Sequence, residues 1–113
     1  MHPKSPKLLE DIERSCRYII EDTAGSPVEA YRQNRLVRQA VERNLEIIGE
    51  ALGRLRDSDP GTTVGISDVH RIIGLRNRLA HGYDEIDDSS IWQVTQESVP
   101  LLRDEIAHLL SEM

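Results

Sequence analysis

Several absences narrow the class of protein that this sequence of 113 residues encodes. The single cysteine, Cys16, excludes an intramolecular disulfide, and its position on an apolar stripe predicts a buried, unreactive thiol. No run of about 18 apolar residues is present, which argues against a membrane-spanning helix. The polar MHPKSPK start lacks the apolar centre of a signal peptide, so we expect a cytoplasmic protein.

The sequence also lacks the pattern of a metal site. Its four histidines, at positions 2, 70, 81 and 108, show no ligand spacing relative to one another, so neither a zinc site nor a cofactor is expected. The acidic segment 84–90 resembles a weak cation loop, but it has no glycine and no terminal glutamate of the calcium-binding kind. We expect instead that Asp88 or Ser89 caps the last helix.

Strand-like alternation, internal repeats and low-complexity segments are absent, and the apolar residues recur at helical spacing. Residues 7–22 predict an amphipathic helix on Leu8, Ile12, Cys16 and Ile19, which the segment TAGSP ends. A second helix is predicted from about residue 28 to 55, with a packed seam every three or four residues at Val41, Leu45, Ile48, Leu52 and Leu55.

The remaining segments complete a helical fold. Residues 57–65 have the composition of a loop, and a third helix runs from Arg71 to Gly82. A last helix covers about 91–110, where Pro100 should kink or break it. The sequence therefore predicts a single domain over residues 1–113, folded as an all-α antiparallel bundle of four to five helices.

Polar chemistry is concentrated at the end of the third helix, where Arg76, Asn77, His81 and Tyr83 fall within eight positions. In an unbroken helix, His81 would point roughly 140° away from Arg76. We therefore expect the helix to loosen there, with Gly82 at positive φ just past its end. The negative end of the helix dipole would favour a protonated His81, which suits proton transfer.

An imidazole and a guanidinium together suit attack on a phosphodiester by an internal hydroxyl. The imidazole would move the proton while the fork of Arg76 stabilises the phosphorane, without a metal ion. RNA has such a hydroxyl at its 2′ position, whereas DNA does not. The alternative is ordinary chemistry at a helix end, in which His81 and Gly82 serve as a cap and Arg76 is a solvated cation.

The net charge of −6 is unusual for a protein that binds RNA along its whole length, but the arginines are clustered. A local basic cleft on an acidic body would bind RNA briefly, and Arg38, Arg71 and Arg78 are candidates for RNA contacts. Each of these arginines could equally lie on a solvated helix face, as Arg38 would with Glu42 four residues on.

The stretch RNRLAHGY resembles the motif of the HEPN superfamily, and of HepT-like toxins in particular: Arg, four residues, His, one residue, Tyr. VERNLEIIGEALGRL (41–55) resembles the long second helix of that family and ERSCRYIIEDTAG its first, so the resemblance covers nearly the whole chain. The chain departs from the family where a Pro-aromatic pair often precedes the motif helix, since residues 64–70 read VGISDVH.

The resemblance implies a small helical homodimer that acts as a metal-independent endoribonuclease toxin on RNA, with the Arg and His of both protomers in a cleft at the interface. It implies Arg76 and His81 as the catalytic pair, with Asn77 in support. It also implies a minimal nucleotidyltransferase as antitoxin, which can attach AMP to Tyr83. Two other functions remain open: a non-catalytic module that binds a nucleotide or docks that partner, and a purely structural bundle.

Overall fold

The computed structural model describes residues 1–82 and 87–113, and every regular element in these two ranges is helical, which confirms the all-α prediction. The elements are α1 (Ser5–Thr23), α2 (Val28–Gln33), α3 (Arg35–Ser58), α4 (Pro60–Thr63), α5 (Val69–His81), α6 (Asp88–Gln93), a π-helix (Val94–Ser98) and α7 (Val99–Ser111). The long helix α3 packs against α1 and α5, and α1 also packs against α7. No helix of the described ranges is long and apolar enough to cross a membrane.

The first helix forms as its apolar spacing predicts, and it runs slightly beyond the expected range. Leu9, Ile12, Cys16 and Ile19 are fully buried, whereas Leu8 lies at the edge of the core. Burial raises the pKa of the Cys16 thiol to about 12. The thiol is therefore protonated and unreactive at neutral pH, as predicted.

The predicted second helix is two helices, and Asn34 divides them. Its φ and ψ are extended (−107° and 94°), and its side-chain oxygen accepts a hydrogen bond from the Val37 amide at 3.1 Å. An asparagine that caps the following helix in this way competes with helix continuation. The short α2 that results places Tyr31 against Trp92 of α6, with ring centroids 5.3 Å apart.

The predicted seam of α3 is confirmed, because its five apolar residues are all buried. Helix α3 continues to Ser58, and α4 follows where a loop was predicted. Asp59 begins α4 by accepting hydrogen bonds from the backbone and the hydroxyl of Thr62. The same carboxylate accepts from the His2 amide at 3.0 Å and the Ser5 hydroxyl at 2.8 Å, which ties the start of α1 to this turn.

The last helix begins and changes its winding at identifiable residues. Asp87, one residue before the predicted caps, accepts from the Ser89 amide at 3.0 Å, so the prediction of Asp88 or Ser89 as cap is wrong. Pro100 has no amide hydrogen to donate, and the helix widens to a π-helix just before it. The helix therefore changes its winding beside Pro100 but continues to Ser111 without a break.

Candidate functional site

Helix α5 carries most of the residues that the sequence proposes for the site. Its core face consists of Ile72, Leu75 and Leu79, which are 2–7% exposed. At its start, Glu105 of α7 accepts hydrogen bonds from the amide and hydroxyl of Ser67, at 3.0 and 3.2 Å. Helix α5 thus packs along one face against α3, and the segment that leads into it is hydrogen-bonded to α7.

Arg76 lies at the border of that core face and is half-buried against α3. Its stem lies directly over Gly49: a methyl group at Gly49 would overlap the Arg76 Cβ and come within 2.8 Å of its Cγ. Because Gly49 has no side chain, the two helices approach closely and Arg76 is held at a defined position. Its guanidinium donates to the Asn77 side-chain oxygen at 3.4 Å, and no carboxylate of residues 1–82 or 87–113 forms an ion pair with it.

His81 is exposed in the last turn of α5, and the helix does not loosen before it. The Gly82 amide donates to the Arg78 carbonyl at 2.7 Å, and φ of Gly82 is −133°. The predicted release by a glycine at positive φ is therefore wrong. In regular helix, Arg76 and His81 point roughly 140° apart, whereas Asn77 shares the face of His81 one turn away.

The other candidate residues do not gather around Arg76. Arg71 donates to the Ser98 hydroxyl at 3.4 Å, and Arg78 is exposed roughly 160° around α5 from Arg76. Arg38 lies at the corner of α2 and α3, where it donates to the Arg32 carbonyl. That corner is about 16 Å along α3 from Gly49. Tyr83 lies outside the described residues.

A groove of about 300 Å³ opens between α3 and α5 beside Arg76, and we name it the α3–α5 groove. Its lining comprises Gly49, Glu50, Gly53, Arg54, Arg56, Asp57, Ile73, Arg76 and Asn77. Two of these residues, Arg54 and Arg56, are cations outside the candidate residues proposed from the sequence. The signal for them was the GEALG segment, 49–53, whose two glycines one turn apart leave one side of α3 bare. Within the described ranges, no three His, Cys, Asp or Glu side chains are grouped to hold a metal ion.

A separate polar cluster lies at the junction of α2, α3 and α6. Burial raises the pKa of Glu42, and the nearby negative charge of Asp88 raises it further. The Tyr31 hydroxyl is buried without a hydrogen-bond partner among the described residues, and burial raises its pKa as well. Glu42 and Asp88 act electrostatically on Tyr31, which packs on Trp92, so we assign the cluster to the packing of α2 on α6.

The helical bundle and the sequence together assign the class of protein. The chain belongs to the HepT-like ribonuclease family of the HEPN superfamily, a class of RNA-cleaving nucleases, and the family model matches residues 8–109.

Individual relatives agree with that assignment. A Methanocaldococcus jannaschii protein provisionally named an RNase is 36% identical over 98 residues, 87% of this chain and 89% of that protein. A protein of Caldanaerobacter subterraneus with a similar provisional name is 29% identical over 96% of this chain and 97% of its own length. A Thermococcus cleftensis protein, provisionally named ribonuclease HepT, is 30% identical over 84% of this chain and 86% of its own length. No solved structure matches this chain at a significant level.

Proposed function

We propose that this protein is a metal-independent endoribonuclease toxin that acts in the cytoplasm, with Arg76 and His81 as its catalytic residues. The observation that carries the proposal is the placement of Arg76. Its stem is fixed over Gly49, its guanidinium reaches the open α3–α5 groove, and no described carboxylate neutralises it. A fixed cation with a planar donor fork stabilises the extra charge of a phosphorane.

The proposed reaction uses the RNA itself as nucleophile. His81 accepts the proton of the 2′-hydroxyl, the 2′-oxygen bonds to phosphorus, and the bond from phosphorus to the 5′-oxygen breaks. The departing 5′-oxygen takes up a proton from water and His81 releases its own to water, which leaves a 2′,3′-cyclic phosphate on one product and a 5′-hydroxyl on the other. Asn77 accepts a hydrogen bond from Arg76 and supports the position of its guanidinium, and it lies one turn before His81 on the same face.

We further propose that the working unit is a homodimer. Because α5 remains helical through His81, Arg76 and His81 of one protomer diverge around the helix. A second copy that presents its own α5 would bring the arginine of one protomer to the histidine of the other. The HEPN resemblance supports this arrangement.

The resemblance also supports a minimal nucleotidyltransferase as the antitoxin, with Tyr83 as the residue that receives AMP. A phosphate attached two residues after His81 would add negative charge beside the proposed cleft and compete with RNA. Coexpression with the cognate transferase should add the mass of AMP to a peptide that contains Tyr83 and remove toxicity. If the Tyr83→Phe protein is neutralised equally well, the antitoxin acts by binding alone.

Digestion of RNA by wild-type, His81→Ala and Arg76→Lys proteins in the presence of EDTA tests the nuclease mechanism. Wild-type protein should cleave and leave cyclic phosphate ends, and a substrate with a 2′-deoxy residue at the cut site should be inert. Loss of the proton-transfer group should slow cleavage about 10² to 10⁴-fold. Arg76→Lys should also fail, because an ammonium lacks the bidentate fork. Cleavage that requires magnesium, or that survives His81→Ala, would leave a non-catalytic nucleotide- or partner-binding module as the better function.

A further inference from the structure

The α3–α5 groove leads away from Arg76 between two helices that run in opposite directions. Gly49 closes one end, where the helices touch through Arg76. One turn further along α3, nothing beyond the surrounding turns of the helix itself lies within 4 Å of where a Gly53 side chain would begin, so the floor of the groove is open there. Arg56 lies two turns beyond Gly49, about 10 Å along the helix axis.

Cations line the groove beyond Arg76. Arg54 and Arg56 both border it, and Arg56 also borders a neighbouring depression of about 420 Å³ near His70 and Arg71. Arg54 is paired with Glu50 at 2.8 Å and Arg56 with Asp57 at 3.2 Å. These ion pairs are at the surface, where such pairs are weak. Each arginine can therefore exchange its carboxylate for another anion.

We propose that a single strand of RNA lies in the α3–α5 groove and that Arg54 and Arg56 bind its phosphates on one side of the cut site. This proposal rests on the ribonuclease function. At about 3.4 Å per stacked nucleotide, the 10 Å between Gly49 and Arg56 accommodates about three nucleotides. The axes of packed helices lie only about 8–10 Å apart, so the groove is a narrow furrow on the surface and not a deep cavity.

The composition of the lining favours RNA over a second protein chain. Five of the nine lining residues are charged, namely Glu50, Arg54, Arg56, Asp57 and Arg76, and Ile73 is the one large apolar side chain among them. The centre of a protein interface is depleted in glutamate and aspartate and is more apolar than the rest of the surface. A floor of two glycines with arginines at its edges instead allows a sugar-phosphate backbone to approach closely.

Binding of a fluorescent single-stranded RNA, measured by anisotropy over a series of salt concentrations, tests the proposal. All variants carry His81→Ala, so that the RNA stays intact. The double variant Arg54→Gln/Arg56→Gln should bind at least tenfold more weakly, and the slope of log K against log salt should fall by about 0.7 for each phosphate that the variant no longer binds. Arg43→Gln is the matched control, because Arg43 is also on α3, is as exposed as Arg54 (69%) and is paired with a glutamate, Glu46.

A second variant tests whether RNA binding needs the open floor of the groove, and it leaves the charge of the groove unchanged. Gly53→Leu should fill the open floor and weaken binding about tenfold while the helical circular dichroism and the melting temperature are retained. If the double variant and Gly53→Leu both bind as Arg43→Gln does, the groove does not hold RNA. If they change the mass of the particle in light scattering and leave RNA affinity unchanged, the groove is a protein interface, which also overturns the proposal.

The same substitutions in the active protein separate this proposal from the nuclease function. In protein that keeps His81, the substitutions Arg54→Gln and Arg56→Gln together should raise KM and leave kcat nearly unchanged. The reason is that Arg54 and Arg56 lie away from the reacting phosphate. A wild-type protein that cleaves no RNA would contradict the nuclease function, and the binding series would still decide the groove. If both groove variants cleave RNA with an unchanged KM, only the proposal that RNA lies in the α3–α5 groove is contradicted.

Discussion

At the scale of single residues, two glycines one turn apart on α3 have opposite surroundings. Gly49 is buried under the stem of Arg76, whereas Gly53 faces open space. Neither has the positive φ that only glycine tolerates readily, so the difference between them is one of packing. The sequence shows both glycines, but only the contact between α3 and α5 reveals which of them is required.

Substitution of each glycine by alanine should separate these roles. Gly53→Ala should raise the free energy of unfolding by about 0.5–1 kcal/mol, because alanine is the better helix former and meets no neighbour. Gly49→Ala has the same intrinsic gain but must displace Arg76, so it should be about 1–3 kcal/mol less stable than Gly53→Ala. Urea denaturation of the two variants measures the difference. Equal stabilities would show that Arg76 moves aside at no cost.

The sequence proposed the residues of the site but not their geometry. Arg76, Asn77 and His81 were proposed from residue type, spacing and the HEPN resemblance together, and all three lie on one short helix. The predicted orientation of His81 relative to Arg76 depended on the backbone conformation of Gly82, which the sequence does not determine. Arg54 and Arg56 were not selected because each has an acidic neighbour in the sequence and resembles an ordinary surface residue.

At the scale of helices, the sequence predicted the apolar faces well and the ends less well. The buried stripes of α1 and α3 follow from periodicity, because the same spacing that forms the helix also faces it to the core. Asn34 divides two helices through one side-chain hydrogen bond, and Asp87 begins a helix through two. Many residues of these types make no such bond, so sequence alone gives their positions only within a few residues.

The turn at Asp59 should make the free energy of unfolding depend on pH. Asp59 accepts hydrogen bonds from Thr62, His2 and Ser5, and these bonds hold the pKa of its carboxyl well below its usual range. A carboxyl with a depressed folded pKa stabilises the fold above its unfolded pKa of about 3.9, and this contribution is lost as the pH falls below that value. We therefore expect Asp59→Ala to be less stable than wild type at pH 7, with the gap narrowing between pH 4 and pH 2.

Thermal unfolding followed by circular dichroism at several pH values measures that gap. Asp57→Ala is the control, because Asp57 is an exposed carboxylate two residues away whose one ion pair among the described residues is with Arg56. Its effect should be small at every pH. A gap for Asp59→Ala that stays constant from pH 7 to pH 2 would show that its hydrogen bonds do not depend on the carboxylate charge.

At the scale of the whole molecule, the divergence of Arg76 and His81 predicts that activity belongs to a pair of chains. Light scattering should give about twice the mass of a 12.8 kDa chain. Arg76→Ala and His81→Ala proteins should each be inactive. When they are unfolded together and refolded as a mixture, hybrid dimers should restore about a quarter of wild-type activity, because half of the dimers then contain one intact pair. A monomer, or a mixture as inactive as its components, would place both groups in one chain.

The packing of α1 against α7 has a consequence for how the protein is made. The first and last helices of the bundle complete each other's core, and Glu105 of α7 holds the beginning of α5. Ribosomes deliver α1 first and α7 last, so a chain still in synthesis can neither close its core nor fix the helix that carries Arg76 and His81. We therefore expect the proposed nuclease activity to arise only after α7 has been made.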